Sequence, residues 1–212
     1  MPNWTYNILH IDAEPDVKAK IKEAIASDES ILDFNKIIPM PESLNVTSGS
    51  SNDPDIYYYL SERLRIPLEQ VSKMSEAKLI NNMFNDDWLK EICRRLESGE
   101  VEGHYDIGQL LVSNYRKYGA TTWYDWCREN WGTKWNASDV RLEEGPMTLH
   151  YYFDTAWSSP RPVIQKLSEM FPDAYVEHFY SYEDEDDCYH VIEYRAGVVM
   201  EEYDEDPDYY AP

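Results

Sequence analysis

The last forty residues, 173–212, combine a dense set of acidic side chains with a regular supply of strand-forming residues. They contain fourteen acids and one base, Arg195. Aromatic and β-branched residues such as Tyr180, Val191 and Tyr194 stand between the acids. A bare disordered tail lacks such residues, whereas half-buried strands favour them. We therefore predict that this region folds and presents ordered negative charge.

Net charge narrows the kinds of ligand that the chain can bind. Its 212 residues carry a formal charge of −22, of which about −13 falls within residues 173–212. A surface this negative repels DNA, RNA and anionic membranes, and it attracts proteins that hold nucleic acid. Solubility is the simplest explanation of an acidic composition, but the clustering of the acids within residues 173–212 favours a binding role. With 42% hydrophobic residues, the chain can also bury a real core.

Cysteine usage and the start of the chain predict a cytoplasmic protein. Cys93, Cys127 and Cys188 are odd in number and far apart, which is typical of reduced cysteines. The segment Met1-Pro2-Asn3-Trp4 has no basic stretch followed by an apolar run, so we expect no signal peptide. No stretch approaches the roughly 18 apolar residues of a membrane span.

Hydrophobic periodicity predicts an alternation of strands and helices at the two ends of the chain. Residues 3–11 have the composition of a strand, Pro15 opens a helix, and residues 34–38 suggest a second short strand. Residues 43–55 form a polar linker. From Asn136, apolar residues recur at every second position, as in a strand, and a helix is predicted after Ser159-Pro160. Further strands are predicted near 174–182, 189–195 and 197–203.

In the middle of the chain, residues 55–131, apolar residues recur at helical spacing. Gly119 is the predicted C-terminal cap of one helix, and Thr122 begins a capping-box variant. Without this block, the order of elements is β-α-β…β-α-β. We therefore predict an α+β sandwich in one domain, residues 1–212. Residues 55–131 would be a helical insertion, and 197–212 an acidic C-terminal strand or tail.

A tryptophan-rich segment allows two interpretations. Trp123, Trp126, Trp131 and Trp135 fall within thirteen residues. They form either an aromatic surface that stacks on a base or anchors a partner, or a packed hinge that turns at Gly132. The packed hinge is favoured, because Arg128 and Lys134 are too few to hold a phosphate chain.

Several short blocks resemble one known family. The blocks are Asn3-Trp4 and residues 37–41, 123–127, 130–136 and 153–157. They are similar to blocks of the ferredoxin-like, YubB-type family of phage and plasmid proteins, whose members have no known activity. The similarity spans nearly the whole chain, and residues 55–85 fit least well. The resemblance implies a ferredoxin-like fold and an origin in a mobile element, without a catalytic set of residues.

Sequence motifs for catalysis or metal binding are absent. There is no Gly-x-Ser-x-Gly elbow, no Walker loop and no His-Glu-x-x-His motif. The run 183–187, followed by Cys188 and His190, lacks the order of an EF-hand, and a solvated hairpin loop is favoured. His178 and His190 are expected to be satisfied sheet histidines. We predict a non-enzyme that needs no cofactor and no metal.

The acids at the C-terminus form the predicted partner-binding site. Residues two apart on one strand face lie about 6.7 Å from each other, close to the roughly 7 Å between successive phosphates of a nucleic-acid strand. The row could be Glu202, Asp204 and Asp206, or Glu201, Tyr203 and Glu205. The candidate residues are Glu183, Asp184, Glu185, Asp186, Asp187, Glu201, Glu202, Asp204, Glu205 and Asp206.

The sequence thus predicts an inhibitor that mimics nucleic acid. It would bind a basic, nucleic-acid-binding protein or complex of the host, such as a CRISPR effector or a restriction enzyme, and no nucleic acid or membrane directly. One alternative is a small-ligand or nucleotide-binding domain that uses the surface around Trp123, Trp126, Trp131 and Trp135. Another is a structural protein that forms a defined homo-oligomer.

Overall fold

The chain divides into two compact units. A computed structural model describes residues 3–49, 52–80, 86–184 and 188–205. One unit comprises residues 1–39 together with 127–212, and the other comprises residues 40–126. We call them the sheet unit and the helical unit.

The strands belong to the sheet unit, whereas most helices belong to the helical unit. The strands are β1 Trp4–Asp12, β2 Ser138–Glu144, β3 Thr148–Ala156, β4 Tyr175–Tyr182, β5 Tyr189–Arg195 and β6 Val198–Glu205. The helices are α1 Pro15–Ile25, α2 Phe34–Ile37, α3 Asp53–Leu64, α4 Leu68–Val71, α5 Ser75–Ile80, α6 Asp86–Glu97, α7 Tyr105–Tyr118, α8 Trp123–Asn130 and α9 Arg161–Met170.

The strands form one antiparallel sheet in the order β2-β3-β1-β4-β5-β6. The sheet unit contains the βαββαβ order of the ferredoxin-like arrangement. In chain order its elements are β1, α1, β2, β3, α9 and β4, with α2 to α8 between α1 and β2. Strands β5 and β6 extend the sheet beyond β4. The predicted α+β, ferredoxin-like fold class is therefore confirmed.

One face of this sheet is apolar and packs against helices. Leu9, Ile11 and Leu149 have no exposed surface, and they alternate along β1 and β3 as a half-buried sheet requires. The Phe34 ring of α2 meets Phe153 of this face at 6.1 Å. From α9, Gln165 donates to the Gly197 carbonyl just before β6. We call this side the helix face, and the opposite side the far face.

A buried polar network joins the three central strands. The Asn7 side-chain amide on β1 donates to Thr155 Oγ1 on β3 at 3.0 Å and to the Phe153 carbonyl at 3.3 Å. The Asn7 side-chain oxygen lies 3.0 Å from His178 Nε2 on β4. Burial lowers the pKa of His178 to about 3, so its imidazole is neutral and Nε2–H donates to Asn7. The predicted satisfied sheet histidine is therefore confirmed for Nε2 only, because the buried Nδ1 atom of His178 has no hydrogen-bond partner among the described residues.

The predicted short strand at residues 34–38 is wrong. This segment forms α2, because the Asp33 carboxylate caps it by accepting from the Asn35 N–H at 2.9 Å. Phe34 and Ile37 are three residues apart, as helix neighbours are, and both are buried. The second strand of the ferredoxin-like order is instead β2, which follows the helical unit in the sequence.

The helical unit has a core of its own. Ile56, Leu60 and Leu111 are almost completely buried where α3 and α7 pack together. A polar contact sets the start of α7: the Asp55 carboxylate accepts from the His104 N–H at 2.7 Å. Gly119 ends α7 with a φ of +77°, as the sequence predicts. In the part of the chain that the structure describes, no helix combines the length and apolar character needed to cross a bilayer.

Candidate functional site

One row of titratable side chains crosses all six strands on the far face. Each residue of this row is the direct cross-strand partner of the next. Direct partners point to the same face, and neighbouring strands are about 4.8 Å apart. We call this set the acidic row. From β2 to β6 it consists of Glu143, His150, His10, Glu177, Glu193 and Glu201.

Three glutamates of the acidic row face one another without an intervening base. Glu177 pairs with Glu193, and Glu193 pairs with Glu201. Like charges directly opposite each other destabilise a sheet. Burial, together with the charges of Glu193 and Asp12, raises the pKa of the Glu177 carboxyl, although His10 opposes this effect. Folding alone gains nothing from such an arrangement, which favours a role in binding.

The middle of the row is a pair of histidines. The His10 and His150 rings meet edge to face with their centroids 4.4 Å apart. His10 Nε2 also lies 3.0 Å from the Asp12 carboxylate. Partial burial and the neighbouring His10 lower the pKa of His150. Neither histidine belongs to the predicted site, although both alternate with buried residues along their strands, as solvent-facing side chains do.

Strand β6 forms one edge of the sheet and carries the acids predicted to bind a partner. Glu201 and Glu205 share the far face with Tyr203, and the Glu205 Oε2 atom is buried without a hydrogen-bond partner among the described residues. Glu202 and Asp204 lie on the helix face instead. There Glu202 pairs with Arg161 at 2.7 Å, and Asp204 lies 2.7 Å from His190 Nδ1.

The predicted acidic hairpin is only partly described. The Glu183 carboxylate accepts from the Trp4 backbone N–H at 2.8 Å, and Asp184 is an exposed turn residue. Glu185, Asp186, Asp187 and Asp206 lie outside the described residues. The six described members of the predicted set therefore do not form one uniform surface. Among the described acids, Glu201 and Glu205 continue the charge of the acidic row.

The tryptophan-rich segment does not form the predicted four-residue surface. Trp126 and Trp131 are only 6% and 4% exposed, and Trp131 Nε1 donates to the Ile38 carbonyl at 2.9 Å. Gly132 turns the chain with a φ of +79°. Trp123 is half-buried, and Trp135 is exposed. The packed interpretation is thus correct for Trp126 and Trp131.

A different aromatic patch forms around Trp135. The Trp4 ring lies 6.4 Å from it, and Lys134 Nζ lies 4.5 Å from the centroids of both Trp135 and Trp157. Trp157 is 41% exposed. We call Trp4, Lys134, Trp135 and Trp157 the aromatic patch. No spacing along the chain groups these residues, because the ends of β1 and β3 bring Trp4 and Trp157 together from distant positions.

Comparison with known proteins supports the fold. Residues 130–211 match the family described as a ferredoxin-like domain in Api92-like protein, a family of unknown function. The crystal structure of the protein Api92 from Yersinia pseudotuberculosis is similar, with 12% identity and a TM-score of 0.48, covering 97% of this chain and 98% of that one. No curated protein sequence matches the chain. The match of residues 130–211 to the family model, together with the strand order of the sheet, defines the class as a ferredoxin-like α+β domain.

Replacing Glu177 with Gln should stabilise the protein at pH 7. Because the pKa of Glu177 is raised above its ordinary value of 4.5 in the folded state, its folded carboxyl prefers to be protonated. The stability that protonation provides is complete below 4.5 and is lost as the pH rises through the folded pKa. Removing the charge should therefore raise the free energy of unfolding at pH 7 by about 0.5 kcal/mol, the scale of one cross-strand charge pair.

Urea denaturation at pH 7 and near pH 4 measures this effect. The gain of Glu177→Gln should shrink at the lower pH, where the wild-type carboxyl takes up a proton. Glu143→Gln is the matched control, because Glu143 is exposed and faces His150 at the other end of the row. A clear loss of stability in Glu177→Gln at pH 7 would contradict the repulsion.

Proposed function

We propose that this protein is a non-enzymatic inhibitor from a phage or plasmid that binds a host protein through its acidic row. The target is a basic, nucleic-acid-handling component of host defence, such as a CRISPR effector or a restriction enzyme. The single observation that carries the proposal is the set of directly opposed glutamates, Glu177, Glu193 and Glu201. The resemblance to phage and plasmid proteins supports the mobile-element origin.

The spacing of these carboxylates can be compared with the spacing of phosphates along a nucleic-acid backbone. Across the strands the glutamates repeat about every 4.8 Å, closer than the roughly 7 Å between phosphates of one strand. Along β6, Glu201 and Glu205 are four residues apart, or about 13 Å, which is nearly two phosphate steps. The far face therefore offers an array of carboxylates, one line across the strands and one along β6, with spacings of the same order as those of phosphates.

The basic side chains on the described part of the sheet neutralise little of the negative charge of this array. Arg161 and Lys22 pair with Glu202 and Glu144 respectively, on the helix face. On the far face, Arg141 lies over the Tyr152 ring at 5.4 Å, and Arg195 stands one row away from Glu193. The far face therefore repels phosphates and attracts the Arg and Lys side chains of a nucleic-acid channel.

A sheet is a favourable support for such a surface. The carboxylates are attached to paired strands, so little backbone entropy is lost when a partner binds. Tyr203, between Glu201 and Glu205 on β6, adds a flat and rigid contact surface. Association with a basic partner should be fast and strongly dependent on salt.

Capture from lysate of a bacterial host tests the proposal. The protein should retain a basic, nucleic-acid-binding protein at low salt and release it when DNA or about 0.5 M salt is added. A variant with Glu177, Glu193, Glu201 and Glu205 changed to Gln should bind the captured protein at least tenfold more weakly. Four lost charges at about 0.4 kcal/mol each suffice for this change.

The control variant removes the same amount of charge elsewhere. Glu23, Glu62, Glu97 and Glu129 are exposed, and changing all four to Gln should leave the binding nearly unchanged. The proposal fails if no basic nucleic-acid-binding protein is captured, or if both variants bind as tightly as the wild type.

The aromatic patch supports a second candidate function, the binding of a nucleotide or similar ligand. Trp135 and Trp157 offer ring faces for stacking, and Lys134 supplies a cation next to them. If this function holds, ATP should quench tryptophan fluorescence in a saturable way, and Trp135→Ala should remove the quench. Tyr105→Ala, at an exposed aromatic residue of the helical unit, is the control. Absence of a saturable quench in the wild type excludes this candidate.

A further inference from the structure

Three side chains with metal-binding atoms meet at the hairpin end of β5. Cys188 and His190 are two residues apart, so they point to the same side of the extended chain. Asp204 on β6 is the direct cross-strand partner of His190. One potential ligand atom from each of Cys188, His190 and Asp204 lies within 4.8 Å of the other two. The strand register alone therefore brings the three together.

Neighbouring groups hold the histidine and the aspartate in place. The His190 ring lies 5.0 Å from the Tyr180 ring and 5.8 Å from the Tyr182 ring. Its Nδ1 atom is 2.7 Å from Asp204 Oδ1. Two positions before Asp204 on the same face, Glu202 pairs with Arg161 of α9 at 2.7 Å. The tyrosine rings and the Glu202–Arg161 pair restrict the rotamers of His190 and the position of β6, as the outer shell of a metal site does. The His190–Asp204 contact instead joins two of the candidate ligands and would give way to bonds to the metal.

The chemistry of the three ligands selects a class of metal. Thiolate, imidazole and carboxylate together suit a borderline transition metal, whereas Ca²⁺ and Mg²⁺ prefer oxygen ligands. With Zn–S near 2.3 Å and Zn–N near 2.0 Å, the ligand atoms of a tetrahedral site are about 3.2–3.6 Å apart. The present separations, none of which exceeds 4.8 Å, differ from that geometry by at most about 1.6 Å.

We propose that Cys188, His190 and Asp204 form a binding site for a divalent transition metal of the zinc type. Three protein ligands leave the fourth tetrahedral position to water or to a side chain of a partner. His190 is half-buried and Asp204 is exposed, so an ion can enter from solvent. The bound metal would link the end of the β4–β5 hairpin to the edge strand β6. This inference does not depend on the proposed inhibitor function.

The other two cysteines differ from Cys188 in their surroundings. Cys93 and Cys127 are buried, and burial raises their pKa to about 11 and about 12. Both thiols therefore remain protonated at neutral pH and ligate metals poorly. Cys188 is half-buried beside an imidazole and a carboxylate. The chain thus contains its own control cysteines.

Titration with Co²⁺, a spectroscopic substitute for Zn²⁺, tests the site in the untagged full-length protein. The expected result is a thiolate-to-cobalt charge-transfer band that saturates at one ion per chain and disappears when Zn²⁺ is added. Cys188→Ser should remove the band, and His190→Gln and Asp204→Asn should each weaken Co²⁺ binding at least tenfold. Far-UV circular dichroism of each variant establishes that the fold survives.

Two controls separate this site from adventitious thiol binding. Cys93→Ser should keep the band, and so should Glu201→Gln, which removes an acid from the other face of the same strand. The proposal is overturned if the wild type shows no band. It is equally overturned if the band persists in Cys188→Ser, or if it depends on Cys188 while His190→Gln and Asp204→Asn bind Co²⁺ as tightly as the wild type.

Discussion

The hydrogen-bond network around Asn7 is the interaction on which the rest of the sheet unit depends. Asn7 joins β1 to Thr155 on β3 and to His178 on β4, and all three side chains are buried. A one-residue slip of β1 would bury Tyr6 or Ile8 in place of Asn7, and a slip of β3 or β4 would move Thr155 or His178 away from Asn7, so polar groups would be left without partners. The network therefore favours one register, and that register sets which side chains meet on each face.

Both candidate sites follow from this register. On the far face, it aligns His10 with Glu177 and thereby with Glu193 and Glu201 on the outer strands. On the helix face, the same pairings place Asp204 opposite His190. Strand β6 thus takes part in two different arrangements, because successive side chains point to opposite faces. The far face concentrates negative charge, whereas the helix face pairs its acids with Arg161 and His190.

Much of the fold could be predicted because its signals are local. The change of period at Asn136, the Pro15 helix start and the Gly119 cap each depend on a few neighbouring residues, and the structure agrees at all three. Residues 34–38 form α2 in place of the predicted strand, because the Asp33 cap outweighs the strand propensity of the β-branched pair Ile37-Ile38. That cap satisfies a backbone donor and makes a short helix favourable there.

The acidic row and the aromatic patch were less predictable, because they depend on contacts between strands that are far apart in the sequence. The acids of β6 could be selected from their composition, but their division between the two faces depends on pairing with β5. Glu143, His150 and His10 join Glu177 only through the register of four strands, and no spacing along the sequence reveals it. Trp4 and Trp157 join Trp135 for the same reason.

A titration of the Glu177 carboxyl group by NMR tests most directly whether the glutamates of the acidic row act as one charged array. We expect a pKa above the ordinary value of 4.5 in the wild type, and a lower pKa in Glu193→Gln, because the charge of Glu193 contributes to the shift. An ordinary pKa in the wild type that does not change in Glu193→Gln would show that the glutamates do not act as one array.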